Sequence, residues 1–374
     1  MSVRSFAEFS ARLREFIAAP AAGGAGFNQL ALALFALQFE RVGPYRRLCQ
    51  ARGVTPETVT HWHEIPAIPA AAFKELELSS LDAAERTKVF HSSGTTGQSP
   101  SRHFHNAESL AIYEAPLLPW FKAHLLPEAD EFFFVVLTPS PALAPHSSLV
   151  HMFETVRREL GSADALFVGN TKADGSWRVD FGAARDALER AGGMRRPVAV
   201  LGTAFSFVHL LEHLAAVNLS FALPSGSRVM ETGGYKGRSR TVPKTELHAL
   251  ITRHLGVPGS HIVCEYGMSE LSSQAYDRVI RSAECGMRNE PRTFRFPPWT
   301  RVRIVSPETG QETVEGASGL IQVWDLANVR SVMAIQTEDL GVRRCAGFEL
   351  IGRAAQAELR GCSLVASWDG LARP

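Results

Sequence analysis

The sequence predicts an α/β fold with mixed sheets flanked by helices and a smaller β-rich subdomain toward the end of the chain. Three observations predict it. Strand-like and helical runs alternate from Lys88 to Cys264, short apolar strands set off by Gly and Pro turns follow Arg301, and the residues before Lys88 carry apolar side chains at helical spacing.

In the first stretch Phe6, Phe9, Leu13 and Phe16 fall on one helical face, and Leu30 to Phe39 forms a second apolar-faced segment, so Ser5 to Thr87 reads as mostly helical. Ala18 to Gly26, rich in Ala and Gly around Pro20, reads as the loop between them. From Lys88 onward the strand-like runs are Phe132 to Leu137, Val198 to Leu201, Arg228 to Glu231 and His261 to Cys264, and the helical ones Val150 to Leu160, Phe205 to Val217 and Lys244 to His254. Apolar strands alternating with helices call for a parallel or mixed sheet covered on both faces. The last third offers Arg301 to Val305, Leu320 to Trp324, Val332 to Gln336 and Phe348 to Ile351 as strands. The expected organisation is an N-terminal helical region over 1–88, an α/β core over 89–295, a β-rich subdomain over 296–353 and a short tail over 354–374.

Composition narrows the function. Lys plus Arg (39) nearly balances Asp plus Glu (38), which disfavours nucleic acid and anionic lipid as partners and makes a small molecule the expected substrate. The N-terminal MSVRSFAEFSARLREF places charges where a signal peptide needs an apolar core, and no uninterrupted apolar run reaches spanning length, so a cytoplasmic protein without membrane insertion is expected. Cys49, Cys264, Cys285, Cys345 and Cys362 form no CxxC pair, which argues against a zinc site or a disulfide framework and for reduced thiols.

The most informative stretch runs from His91 to Ser101, directly after the strand-like Lys88-Val89-Phe90. Ser92-Ser93-Gly94-Thr95-Thr96-Gly97-Gln98-Ser99-Pro100-Ser101 holds two glycines and six hydroxyls. Glycines let successive N–H groups converge on phosphate oxygens, and Ser and Thr add further donors. No GxxxxGK[ST] occurs, so the Walker type of kinase or ATPase is disfavoured. A plain Ser/Thr/Gly surface loop is the other reading of the same composition.

The wording SSGTTG followed by Pro resembles the signature loop of the adenylate-forming superfamily of acyl-CoA synthetases and phenylacetate-CoA ligases. Further fragments resemble its other elements in order: Leu201-Gly202-Thr203-Ala204 the acyl-pocket segment, Glu231-Thr232-Gly233-Gly234-Tyr235 the glycines beside adenine, and Cys264-Glu265-Tyr266-Gly267-Met268-Ser269-Glu270 the Tyr-Gly-x-Thr-Glu element. Gln336-Thr337-Glu338-Asp339 resembles the Thr-Gly-Asp that binds ribose, and Gly352-Arg353 the hinge Gly-Arg. Within the superfamily the chain is most similar to LuxE-like acyl-protein synthetases of bacterial fatty-acid reductase complexes, through Pro145-His146-Ser147-Ser148-Leu149, Gly233-Gly234-Tyr235-Lys236-Gly237-Arg238 and Arg360-Gly361-Cys362-Ser363-Leu364. The resemblance implies the adenylate-forming N-terminal domain fold, with 21 residues after Arg353 where full-length synthetases continue into a lid bearing a catalytic lysine.

What the resemblance implies about chemistry is ATP-dependent activation of a carboxylic acid, fatty by analogy, to acyl-AMP and transfer to a thiol. Ser92, Ser93, Gly94, Thr95, Thr96 and Gly97 would hold the triphosphate. Gly233, Gly234, Tyr235, Tyr266, Gly267, Met268 and Ser269 would line the nucleotide, and Asp339 and Arg353 would meet ribose or phosphate. The family's loop ends in Lys where this one runs on to Ser101-Arg102-His103, and Glu338 stands where the family has Gly. Glu270 is the expected Mg2+ ligand, since a hard cation bridging phosphates prefers carboxylate oxygen; the other reading is a Glu favoured by the dipole of a helix beginning at Ser269. Lys236 or Arg238 would supply the cation that the lid lysine supplies elsewhere, or form a solvated basic turn. His146 would orient the carboxylate, or serve as a turn residue. Cys362 would accept the acyl group, its thiolate favoured by Arg360, unless it is a buried structural thiol. Competing functions are a phenylacetate-type CoA ligase and a non-catalytic nucleotide-binding subunit of a larger complex. An acyl-accepting reductase or carrier protein would be the partner.

Overall fold

Ser5 starts the first helix by accepting the backbone N–H of Glu8 on its hydroxyl at 3.2 Å, and Phe6, Phe9 and Leu13 then bury one face of α1 (Phe6–Ala18). The computed structural model describes residues 3–20, 25–92, 99–126, 131–160, 165–233, 242–279, 292–345 and 347–354. Two helices follow, α2 (Ala25–Arg41) and α3 (Gly43–Ala51), then the short strand β1 (Ile68–Pro69) and the helical turn α4 (Ala72–Glu75). After them come the hairpin strands β2 (Lys88–His91) and β3 (Arg102–His105) and the long helix α5 (Ala107–Leu125). The chain continues as β4 (Phe133–Pro139), α6 (Ser148–Leu160), β5 (Leu166–Thr171), β6 (Trp177–Val179), α7 (Phe181–Gly192), β7 (Val198–Thr203), α8 (Ala204–Ala216), β8 (Arg228–Thr232), α9 (Lys244–Leu255) and β9 (Ile262–Tyr266). Six strands close it: β10 (Ala275–Val279), β11 (Arg292–Arg295), β12 (Thr300–Val305), β13 (Ser318–Asp325), β14 (Ala334–Arg344) and β15 (Gly347–Arg353).

The α/β fold expected from the alternation is the fold observed. Every strand and helix named from the sequence between Phe132 and Ile351 overlaps an observed element, and the strand expected at Val332 to Gln336 runs on to Arg344. Residues 52–87 depart from the helical expectation: turns, two single-turn 3-10 helices and β1 fill most of that stretch. Pro56, Pro66 and Pro69 interrupt any continuous helix there.

Two compact units emerge, one made of 1–116 with 268–374 and one of 117–267. In the first, strands run in the order β12-β13-β14-β15-β11-β10 with antiparallel neighbours, and β1 lies parallel to β14 through Ile68↔Ile335 and Pro69↔Gln336. Buried polar contacts tie distant parts of this unit together. The Gln38 amide donates to Asn328 O at 2.7 Å and accepts from Met333 N at 3.0 Å, and Trp324 Nε1 donates to Ile65 O at 3.1 Å.

The second unit has the order β9-β8-β7-β4-β5-β6, parallel except for β6. Val135, Val200, Phe207, Leu211, Ile251 and Leu255 belong to its apolar core, in which strands and helices pack together. Truncating such a buried Leu or Ile to Ala costs about 2–5 kcal/mol. The chain leaves β4 toward β5 and β6 on one side and returns as β7, β8 and β9 on the other. This strand order therefore reverses between β4 and β7, the position at whose carboxyl end open α/β sheets bind ligands.

Candidate functional site

The hydroxyl-rich loop springs from a hydrogen-bonded neck. The β2–β3 ladder runs from Lys88↔His105 to His91↔Arg102 and extends one step further: Ser92 N donates to Ser101 O at 3.3 Å, and Ser101 N donates to Ser92 Oγ at 3.0 Å. Along β3 the side chains alternate, so Ser101, His103 and His105 are buried on one face while Arg102 lies on the other. Arg102 approaches Glu77 at 3.6 Å there, which directs it away from the side that Ser101 occupies.

Ser101 and His103 reach two consecutive residues of the Tyr-Gly-Met-Ser-Glu segment. Ser101 Oγ donates to Glu270 Oε1 at 2.5 Å, Ser269 Oγ donates to Glu270 Oε2 at 3.0 Å, and His103 Nδ1 donates to Ser269 O at 2.9 Å. A carbonyl can only accept, so this bond puts the His103 proton on Nδ1. Burial pushes the His103 pKa down to about 4, only partly opposed by that bond, and the ring is neutral at physiological pH. Asn328 Nδ2 donates to Glu270 O at 2.8 Å, and Asp325 accepts from Ser272 N, Ser273 N and Ser273 Oγ just downstream. Ser269 and Glu270 sit in a turn that Leu271 N closes onto Met268 O at 3.1 Å. The reading of Glu270 as the first turn of a helix beginning at Ser269 is therefore corrected: hydrogen-bonding side chains, not a helix dipole, meet this carboxylate.

Glu270 is only 5% exposed, yet each of its oxygens accepts one hydrogen bond and keeps a lone pair. Such a carboxylate suits Mg2+, which binds through one or two carboxylates plus substrate phosphates rather than in an all-protein cage. Among the described residues no group of three or more His, Cys, Asp or Glu could hold a metal ion.

Asp339 and Arg353 stand opposite each other in the β14–β15 ladder, with Asp339 Oδ1 and Arg353 Nε 3.7 Å apart. Glu338, the departure from the family's glycine, lies 3.7 Å from the same guanidinium. Thr337 Oγ1 accepts the Asp339 N–H at 3.1 Å and fixes the backbone at the aspartate.

The second unit brings its predicted residues to the carboxyl ends of parallel strands. His146 is exposed in a turn between β4 and α6. Thr203 ends β7 and caps α8, its Oγ1 accepting from Ser206 N at 3.1 Å. Gly233 follows β8 with φ of 72°, a left-handed value that glycine adopts without strain. Tyr266 is buried at the end of β9, followed by exposed Gly267 and half-buried Met268. Two polar pairs missed in the sequence lie in the same unit: Thr232 Oγ1 donates to the Glu265 carboxylate, and His248 Nε2 lies 3.4 Å from Glu231 Oε1. Burial raises the Glu265 pKa to about 7, with Glu231 adding to the rise and the Thr232 hydroxyl opposing it.

Ser93, Gly94, Thr95, Thr96, Gly97, Gly234, Tyr235, Lys236, Arg238 and Cys362 lie outside the described residues. Cys49 and Cys264 are free and buried, whereas Cys345 is disulfide-bonded. The expectation of five reduced thiols is corrected there, because spacing along the chain does not report distance in space. Among the described residues no helix is long and apolar enough to cross a membrane.

A family model described as acyl-protein synthetase, LuxE, matches residues 25–369. The chain is 21% identical over 318 residues to a long-chain-fatty-acid–luciferin-component ligase of Aliivibrio fischeri, covering 84% of this chain and 78% of that protein. It is 21% identical over 330 residues to the ligase of the same name from Vibrio harveyi, covering 86% and 82%. Among solved structures, 2-hydroxyisobutyryl-CoA ligase with 2-HIB-AMP and CoA in its thioesterification state superposes with a TM-score of 0.62 at 14% identity, over 89% of this chain and 69% of that one. Its open conformation gives 0.60 at 13%, over 93% and 69%. These likenesses are of fold, and the fold is that of the adenylate-forming ligases.

Proposed function

We propose that this chain, which belongs to the acyl-protein synthetase family, LuxE, uses ATP to activate a long-chain fatty acid and passes the acyl group to a protein cysteine. Family membership makes it an acid–thiol ligase. The names of the two curated relatives support a long-chain acid and a protein partner. The observation that carries the reading is the Ser101–Glu270 hydrogen bond, which joins the neck of the hydroxyl-rich loop to the acidic residue of the Tyr-Gly-Met-Ser-Glu segment.

In the first half-reaction a carboxylate oxygen attacks the α-phosphorus of ATP and pyrophosphate leaves. Ser92 to Gly97 bind the triphosphate through hydroxyls and backbone N–H groups. Glu270 would hold Mg2+, which would supply charge neutralisation for the departing pyrophosphate. Asp339 accepts hydrogen bonds from the ribose diol, and Arg353 pairs with Asp339 or with phosphate. Tyr266, Gly267, Met268, Ser269, Gly233, Gly234 and Tyr235 line the nucleotide. His146 orients the acid at the carboxyl end of β4. Lys236 or Arg238 meets the charge that grows on the α-phosphate, a contribution on the order of a hundredfold in rate. In the second half-reaction the Cys362 thiolate attacks the acyl carbon and AMP leaves. A reductase or carrier protein then takes the acyl group.

Two measurements test the proposal. Fatty acids with ATP and magnesium should drive pyrophosphate exchange and hydroxylamine-trappable acyl-AMP. The intact mass should then rise by one acyl group in the wild type and not in Cys362→Ser. Absence of acid-dependent exchange across fatty, aromatic and amino acids would remove the reading. Exchange with no mass gain would remove Cys362 as acceptor.

A further inference from the structure

The sequence assigns Ser92 to Gly97 and Glu270 to the nucleotide and metal, and counts Ser101 among the loop hydroxyls without a role of its own. In the fold Ser101 is 1% exposed, and its hydrogen bonds go to Ser92 and Glu270. Its backbone N–H and C=O pair with Ser92, and its hydroxyl donates to Glu270 Oε1 at 2.5 Å, across 169 positions of sequence. A charge-assisted O–H···O⁻ bond this short is among the stronger hydrogen bonds a protein makes. With Ser269 Oγ on the other oxygen, the two donors fix rotation of the carboxylate, and Asn328 holds the backbone oxygen of the same residue.

We infer that Ser101 is a positioning residue for metal binding: it sets the plane of the Glu270 carboxylate relative to the loop neck, so that one cation can be met by both the carboxylate and the phosphates. The inference rests on the proposed magnesium role of Glu270. Partners that orient a metal-ligating carboxylate typically change metal affinity by 10–100-fold when removed. Without the Ser101 hydroxyl the carboxylate can rotate about its last bond, and ordering it then opposes binding. His103 supports the same segment one step along β3, through the Ser269 carbonyl.

The test measures metal affinity directly. Mn2+ binding is followed by electron paramagnetic resonance in the presence of a non-hydrolysable ATP analogue, and the Mg2+ half-saturation of pyrophosphate exchange is measured in parallel. Ser101→Ala should weaken Mn2+ binding about tenfold and raise the Mg2+ half-saturation by a similar factor. The maximal rate at saturating Mg2+ should change much less. Ser101→Thr, which keeps the hydroxyl, should stay within about twofold of wild type, and Ser101→Cys, a near-isosteric weak donor, should behave like Ser101→Ala and replaces it if the alanine variant fails to fold. Unchanged metal affinity in Ser101→Ala or Ser101→Cys, alongside weakened affinity in Glu270→Gln, would overturn the inference alone. Unchanged affinity in Glu270→Gln as well would overturn both it and the magnesium role of Glu270.

Discussion

Asp325 carries no charge chemistry in the proposed reaction, yet it governs the turn that follows Glu270. Its fully buried carboxylate accepts from Ser272 N, Ser273 N, Ser273 Oγ and Ala327 N between 2.7 and 3.0 Å. Replacing it by Ala strands several buried donors, so Asp325→Ala should lose about 3 kcal/mol or more in urea unfolding; a change below about 1 kcal/mol would show that water takes over these donors. Glu265 gives a pH signature. Its folded pKa of about 7 lies above the ordinary 4.5, so between those values the folded chain holds a proton that the unfolded chain has released. The group therefore favours the fold at low pH, and that contribution is lost as pH rises from 4.5 through 7, on the order of 3 kcal/mol in all. Glu265→Gln mimics the protonated form, so wild type should lose stability relative to this variant between pH 5 and 7.5; parallel stability curves would refute the shift. At this scale Glu270, Asp339 and Arg353 could be named as candidates from the sequence because each sits in a contiguous motif. The hydrogen-bonding roles of Ser101, His103, Asn328 and Asp325 were not legible, because such a side chain becomes informative only once its partner, 52 to 169 positions away, is known.

Among elements, what the sequence revealed followed from periodicity. Strands β4 and β7 are largely apolar runs of two-sided burial, β8 and β9 are short and buried throughout with apolar residues beside Arg228, Glu231 and Glu265, and α6, α8 and α9 repeat at helical spacing between them. Helix α5 escaped because Pro116 and Pro119 stand inside it and normally signal a break, while its apolar residues encircle it rather than form a stripe. The β5–β6 hairpin escaped because Leu166 to Thr171 and Trp177 to Val179 are short and mixed in character. The junction of β7 and α8 shows how tightly these elements are matched. A Cβ at Gly202 would lie 2.9 Å from Leu137 Cβ on the neighbouring strand, so Gly202→Ala must push β4 and β7 apart. One residue later Thr203 caps α8, and Thr203→Ala removes that cap together with the hydroxyl contact to Ser206 Oγ at 2.8 Å. Thermal unfolding should show a loss of about 1 kcal/mol for Thr203→Ala and about 1–3 kcal/mol for Gly202→Ala. A Gly202→Ala protein as stable as wild type would mean that Leu137 repacks freely.

At the scale of the whole molecule, the first unit is built from the two ends of the chain, and its internal ties span up to 295 positions, as from Gln38 to Met333. Local pattern cannot announce such pairings, since loop closure over that distance leaves no periodic trace. It does predict how the unit should respond to a ligand. Asp339 lies on β14 and Arg353 on β15, so a nucleotide held there binds only the folded chain and must raise its apparent stability. At a hundredfold excess over the dissociation constant the gain is about 2.7 kcal/mol, a shift of a few degrees in unfolding temperature for a chain of this size. Asp339→Asn should abolish most of that shift and leave the unliganded unfolding temperature nearly unchanged. The Arg353 side chain, 3.7 Å from Asp339, is 71% exposed, so that pair adds little stability. A lowered unliganded temperature would reassign Asp339 to the fold, and an undiminished ATP-induced shift would place the ribose elsewhere.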